Sequence, residues 1–404
     1  MKHREIADLS HGELAILVRE YLMAGHLIDR AGLPVVAERG EDETREVAID
    51  EWMGASPIYS TRMRQLLGYE GDTVEVALKG IQLDVGAPPE WMDFRFTVVD
   101  GHHGEFHNDY CGALLEVEPL GDAPVHTMCH LIEDPTFDAT GWATHPKLRF
   151  RPIHRPPRNP ANRVPHCQWI AFIDETLEAA AEPEPAKRVR QSLLAGLPIA
   201  TIAERPGDAA GLTDYTKPLD NDLHMRDFSQ ATLRAMADEI AIQGHLLVLS
   251  FATAVQARQG AEFAVKATAT QFVGTAGVVA QRLHRALRLG DSVTDIATLF
   301  DVHPAFRPRS YVNWQVDVKG ESVHLSLGEC KATQERGFRS WITLLAAGHD
   351  RALTAIAAAV DPHWRVSSTG SGEWIVARSS EPVATLDEVA FTGSFLSATF
   401  AFTG

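Results

Sequence analysis

Cysteine is scarce in this sequence: 404 residues carry four, Cys111, Cys129, Cys167 and Cys330. A chain of this size stapled by disulfides would need many more, so a disulfide scaffold is excluded. Basic residues are also in deficit. Lys and Arg number 37 against 54 Asp and Glu, a formal net charge of -17. Phosphate binding needs concentrated positive charge, which argues against a nucleic-acid partner. Long apolar runs are missing too, and none reads as the roughly 20 residues of a membrane span. The opening stretch, MKHREIADLSHGELAILVREYL, is charged and amphipathic and lacks the apolar core of a secretory leader. These absences lead to the expectation of a cytoplasmic protein with reduced thiols and no membrane partner. The remainder is ordinary globular composition, with 45% apolar, 23% charged and 8% aromatic residues.

The length suggests about two domains, and comparing the chain with itself sharpens this. Gly25-His26-Leu27 recurs as Gly244-His245-Leu246, 219 residues on. At the same shift Gly71-Asp72 meets Gly290-Asp291, Cys111 meets Cys330, Glu116 meets Glu335 and His130 meets His349. Trp169 and Trp374 correspond near the ends of the two halves. We read a duplication, with a first module at 1–175, a connector at 176–222 and a second module at 223–404. The connector is rich in Ala, Glu, Pro and turn residues.

Each module reads as helices followed by strands. Helical patterns cover 10–30, 44–68 and 72–83, matched by 229–258, 262–288 and 291–301. Ser10 and Ser229 suit N-caps, and Glu13 completes a capping box. Strands follow at 93–99 and 105–117, and at 311–318 and 322–330. A helix comes next, at 126–143 and 340–360, and two further strands close each module. The expected fold class is α+β: two tandem copies of N-terminal helices followed by a small antiparallel sheet with one packed helix.

The first module gathers reactive side chains between Cys111 and Cys167. Cys111 falls on a strand, Cys129 and His130 at a helix start, and Cys167 on a later strand, so they can converge. A helix N-terminus would favour the Cys129 thiolate. In one chemistry Cys111 is the nucleophile and His130 the base, with Glu116, Glu133 or Asp134 orienting the imidazole. In another, Cys111, Cys129 and Cys167, with His130 as a further donor, hold zinc, although the spacings contain no Cys-x-x-Cys. A third reading leaves the cysteines as small core hydrophobes.

Residues 149–163 form a basic strip with five arginines. Arg149, Arg151 or Arg155 could grip a substrate carboxylate bidentately; the alternative is a solvated edge strand blunted by prolines. His26 and His245 sit beside glycine within helices. They read either as satisfied core histidines or as the lining of a duplicated ligand pocket, with His26 the substrate-binding member.

A cysteine on a strand, a second opening a helix, His145-Pro146-Lys147-Leu148 before a strand, and Cys167-Gln168-Trp169 at the end together resemble a known pattern. It is that of the L-2-amino-thiazoline-4-carboxylic acid hydrolase-like proteins, related to vinyl-reductase-type (V4R) small-ligand domains. The resemblance covers most of the first module and reaches the second only through Cys330, Asp361-Pro362 and Trp374. It implies a compact ligand pocket and hydrolysis of a C–N bond in a small cyclic, carboxylate-bearing molecule. His145 departs from the pattern's Asn, and the second module keeps only one cysteine. The expectation is therefore a hydrolase with its chemistry in the first module and a degenerate second module as pseudo-dimer partner. The other reading is a non-catalytic V4R-like binding or sensor module. Either takes a small molecule, zinc is the one cofactor to weigh, and assembly into a homo-oligomer is left open.

Overall fold

The computed structural model describes residues 2–403. The first copy contains α1 (His11–Val36), α2 (Glu41–Leu67), α3 (Val74–Gln82), β1 (Met92–Val98), β2 (His103–Cys111), α4 (Gly112–Val117), α5 (Asp122–His126), α6 (Glu133–Trp142), β3 (Leu148–His154) and β4 (Cys167–Ile173). α7 (Glu184–Val189) follows. The second copy contains α8 (Gln230–Gln259), α9 (Ala261–Ala286), α10 (Val293–Val302), β5 (Trp314–Lys319), β6 (Ser322–Leu327), α11 (Trp341–Ala346), α12 (Arg351–Ala358), β7 (Trp364–Gly370) and β8 (Glu373–Arg378). α13 (Asp387–Gly393) and α14 (Leu396–Thr399) close the chain.

The fold is α+β. Its two four-stranded antiparallel sheets share one topology, with orders β1-β2-β4-β3 and β5-β6-β8-β7. Phe106 pairs with Trp169 in the first sheet and Leu325 with Trp374 in the second, so the matched tryptophans hold equivalent register. The helix starts are equivalent too. Ser10 Oγ accepts from the Glu13 amide, with the reciprocal Glu13 bond, and Ser229 Oγ accepts from the Thr232 amide.

The long helices do not pack copy by copy. α1 lies chiefly against α9 and α8, and α2 against α8, while α1 and α2 touch little. Each first helix thus leans on the other copy's second helix, and one continuous core runs through both. This exchange is held by a pair of buried ion pairs. Glu20 Oε2 accepts from Arg282 Nε at 2.6 Å, and Glu239 Oε2 accepts from Arg62 Nε at 2.8 Å. The frame slips by one residue between the first and second helices, so Gly40 matches Gly260 and Arg62 matches Arg282. The two bridges are therefore one contact repeated about a pseudo-twofold axis, the signature of an isologous interface.

The repeat also reaches past each sheet. α7 packs on α2 as α13 packs on α9. Gly54 and Gly274 make room for them. A Cβ on Gly54 would stand 2.0 Å from Ser250 Oγ on α8 and 3.3 Å from Pro185 on α7, and one on Gly274 would stand 2.5 Å from Thr392 Oγ1. α7 lies inside the stretch read as connector and repeats as α13, so it is part of the unit.

Some local expectations shift. The strand expected to reach 117 stops at Cys111, whose Sγ accepts from the Leu114 amide at 3.3 Å and caps α4. Glu116 therefore lies on a helix. The helix expected at 126–143 is broken by a π-helical turn, Thr127–Ile132, which carries Cys129 and His130. Cys129 thus has no helix N-terminus to stabilise a thiolate. The helix expected at 340–360 splits at Gly348, whose φ is 93°. α8 is long and apolar enough to cross a membrane, contrary to the sequence reading. Its 18-residue apolar window is 78% buried in the shared core, which explains its composition without a bilayer.

Candidate functional site

α1 brings His26, Asp29 and Arg30 to one end of the first copy. The loop after α3 closes over this helix because Gly25 has no side chain; a Cβ there would stand 2.6 Å from the Val85 carbonyl oxygen. His26 Nε2 then donates to the Gly86 carbonyl at 3.1 Å. His245 makes the same bond to the Arg307 carbonyl at 2.9 Å. Both histidines are satisfied core groups that fasten a helix to a loop. Burial, reinforced by Arg30, lowers the His26 pKa to about 4, so it is neutral.

Between α1, α2, that loop, β1 and α6 lies a cavity of about 180 Å³. At ~30 Å³ per molecule of liquid water this is room for about six waters, or one small organic molecule. Trp52, Tyr59, Phe94 and Phe137 give it an aromatic lining; Asp29, Asp84 and Glu133 give it carboxyls. Tyr59 OH and the Gly86 amide both donate to Asp84 Oδ1 at 2.7 Å. Trp52 Nε1 donates to Asp29 Oδ2 at 3.2 Å.

Several polar atoms here have no protein partner. They are Asp29 Oδ1, Arg30 Nη2 and both carboxyl oxygens of Glu51, which is fully buried beside Asp29. Burial raises every one of these acids, because a charged carboxylate is costly away from water. Asp29 is pushed to about 6, Asp84 to about 7 and Glu133 to about 8, and Glu51 goes well above its usual range. Carboxyls poised around neutrality at a cavity are suited to proton transfer.

The residues singled out from sequence are arranged differently. Cys111, Cys129 and Cys167 do converge: Cys167 helps raise the Cys111 pKa, and both help raise that of Cys129. They stand behind the cavity wall, buried among Ala113, Leu114 and Val125 and in the sheet core. Cys111 Sγ is 3.6 Å from Met92 Sδ. Burial pushes the Cys111 and Cys129 thiols far up and Cys167 to about 12, which works against a thiolate. Among the described residues no three His, Cys, Asp or Glu side chains are arranged to hold a metal ion. The three cysteines do not fit zinc.

His130 Nε2 donates to the Pro156 carbonyl at 2.6 Å and its ring lies beside His126, so it activates no thiol. Asp134 is bound by Arg155, not by an imidazole. Glu116 accepts from Arg30 Nε and from the Ser397 amide, each at 2.6 Å. Its role is to hold Arg30. Arg149 donates to the Pro146 and Leu148 carbonyls, and Arg151 to Asp138. Both alternate with inward-facing Leu148 and Phe150 on edge strand β3 and face away from the sheet's packed side. The carboxylate anchor expected of them is not built.

The second copy lacks this cavity. Asp29, Arg30, Glu51, Trp52, Tyr59 and Asp84 correspond to Val248, Leu249, Gln271, Phe272, Val279 and His303. Trp341 fills the place, stacked on Phe272 at 4.9 Å with Nε1 donating to Gln271 Oε1 at 3.2 Å. About 20 Å³ remains. Asp29, Arg30, Glu51 and Asp84 escaped the sequence reading, although each marks a position where the copies differ in charge or polarity. Comparison with protein-family models, curated proteins and solved structures finds no match for this chain.

Proposed function

We propose that this protein binds a small organic molecule in the cavity of its first copy, and that the bordering carboxyls exchange protons with it. One observation carries the reading. Asp29 and Arg30 line a half-open cavity and, with Glu51 buried behind Asp29, carry side-chain atoms that lack a protein partner, and the second copy replaces all three and fills that space with Trp341. Unsatisfied buried polar groups destabilise a fold, so they are retained where a ligand satisfies them.

Hydrolysis of a C–N bond, the chemistry implied by the family resemblance, suits such a site. A carboxylate at Asp84 would take the proton of an attacking water and protonated Glu133 would give one to the leaving nitrogen. This route uses no thiol. The V4R-like alternative, binding without turnover, needs the same cavity.

Thr136→Phe tests the reading. Thr136 borders the cavity, and its hydroxyl bonds only carbonyls of its own turn. A small-molecule fragment screen by thermal shift should give hits on the parent chain that the filled variant loses. Identical hits on both would refute the cavity as the binding site.

A further inference from the structure

The balance of charge around the cavity defines the ligand more closely. This step rests on the binding reading above. Three carboxyls border the space, Asp29, Asp84 and Glu133, and Glu51 is buried just behind Asp29. The one guanidinium at the wall, Arg30, is already engaged by Glu116 at 2.6 Å. Trp52, Tyr59 and Phe137 offer ring surfaces, which attract cations and exclude water. Asp29 is 7% exposed and lines the cavity, and its Oδ1 is buried with no protein partner.

We propose that the cavity takes an organic cation that carries N–H donors, a primary ammonium or amidinium on a small apolar body. The apolar body would lie against the rings. The N–H groups would meet the carboxyls of Asp29, Asp84 and Glu133 that border the space. A quaternary ammonium would satisfy the rings but leave the carboxyl oxygens without donors. A carboxylate ligand would meet like charge on most of the wall and one guanidinium that is already paired.

The experiment uses the full chain and isothermal titration at pH 8 with benzylamine, benzamidine, benzyl alcohol, benzoate and benzyltrimethylammonium. Benzylamine or benzamidine should bind at least tenfold more tightly than the alcohol, the carboxylate or the quaternary salt. Asp29→Asn should remove most of that preference while leaving benzyl alcohol binding within about twofold. Arg149→Ala, on the outer face of the sheet, should change nothing. Benzoate binding best, or equal binding of amine and alcohol, overturns the cation inference and leaves the cavity reading intact. Failure of all five to bind the folded protein overturns both. Should Asp29→Asn not fold, Glu133→Gln, also on the cavity wall, serves the same comparison.

Discussion

Glu51 lies in the interior with both carboxyl oxygens unpartnered. Leaving a buried polar group unsatisfied costs about 1–3 kcal/mol. The equivalent Gln271 shows the satisfied alternative: its Oε1 accepts from Trp341 Nε1 at 3.2 Å and its Nε2 donates to the Ile28 carbonyl at 3.5 Å. Glu51→Met removes the polar group, keeps an unbranched side chain and orphans no neighbour. It should stabilise the unliganded protein by about 1–3 kcal/mol. With unfolding entropy of ~2 cal/mol/K per residue, this is a rise in Tm of about 1–4 °C for this chain. The gain should grow as pH rises above the usual carboxylate range. There the unfolded chain releases the Glu51 proton and the folded chain retains it, so the parent loses stability and the variant does not. Because Glu51 lies off the cavity wall and the folded chain keeps its proton, the same substitution should leave benzylamine affinity within about twofold. Calorimetric melting at pH 5 and pH 8, with and without the amine, reads all of this. A variant less stable than the parent at pH 8 would refute the reasoning, because Glu51 would then be holding the fold together.

The thiols should be inert: iodoacetamide at pH 7.5 should reach Cys330, the one cysteine not buried, and spare the other three until the chain unfolds. Fast labelling of Cys111, read by mass spectrometry, would restore the nucleophile reading. A bound cation should also expel protons. Asp29, Asp84 and Glu133 hold theirs up to about 6, 7 and 8, with Glu51 higher still. Arg30, Glu116, Tyr59, Arg155, Asp134 and neutral His26 complete the ionisable surroundings. A cation favours the carboxylates, so affinity should climb from pH 6 to pH 8, and titration heats at pH 7 should depend on the buffer's ionisation enthalpy. Heats independent of the buffer would exclude this linkage.

The duplication was legible because a few rare residues hold their places. Gly25 admits the α3 loop, His26 bonds that loop as His245 bonds the loop after α10, and the two tryptophans share register. The exchange of helices was not legible, since periodicity tells which face of α1 is apolar and not whose helix covers it. The cavity was hidden for a different reason. Matching the copies highlights what they share, which is packing; the cavity of the first copy goes with positions where they differ, at Asp29 against Val248 and Glu51 against Gln271. Cysteine clustering drew attention to Cys111 and Cys129, whose proximity is real, but low solvent contact makes them packing groups.

The pseudo-twofold ion pairs provide a test of how far the second copy serves the first. Arg62 and Arg282 hold equivalent buried glutamates, and removing either should cost about 3–5 kcal/mol by stranding a carboxylate. Their other contacts differ. Arg62 donates to the Leu197 and Pro198 carbonyls, away from the cavity. Arg282 donates to the Ser397 and Phe400 carbonyls at 2.8 and 2.7 Å. The Ser397 amide in turn holds Glu116, and Glu116 holds Arg30 at the cavity wall. Arg62→Met and Arg282→Met should therefore lower Tm alike, yet only Arg282→Met should alter benzylamine affinity, by threefold or more at a temperature where both variants are folded. Equal affinities in the two would show that α14 does not position the wall. Unequal ones would mean that the second copy, with its own cavity filled by Trp341, still contributes to the site of the first.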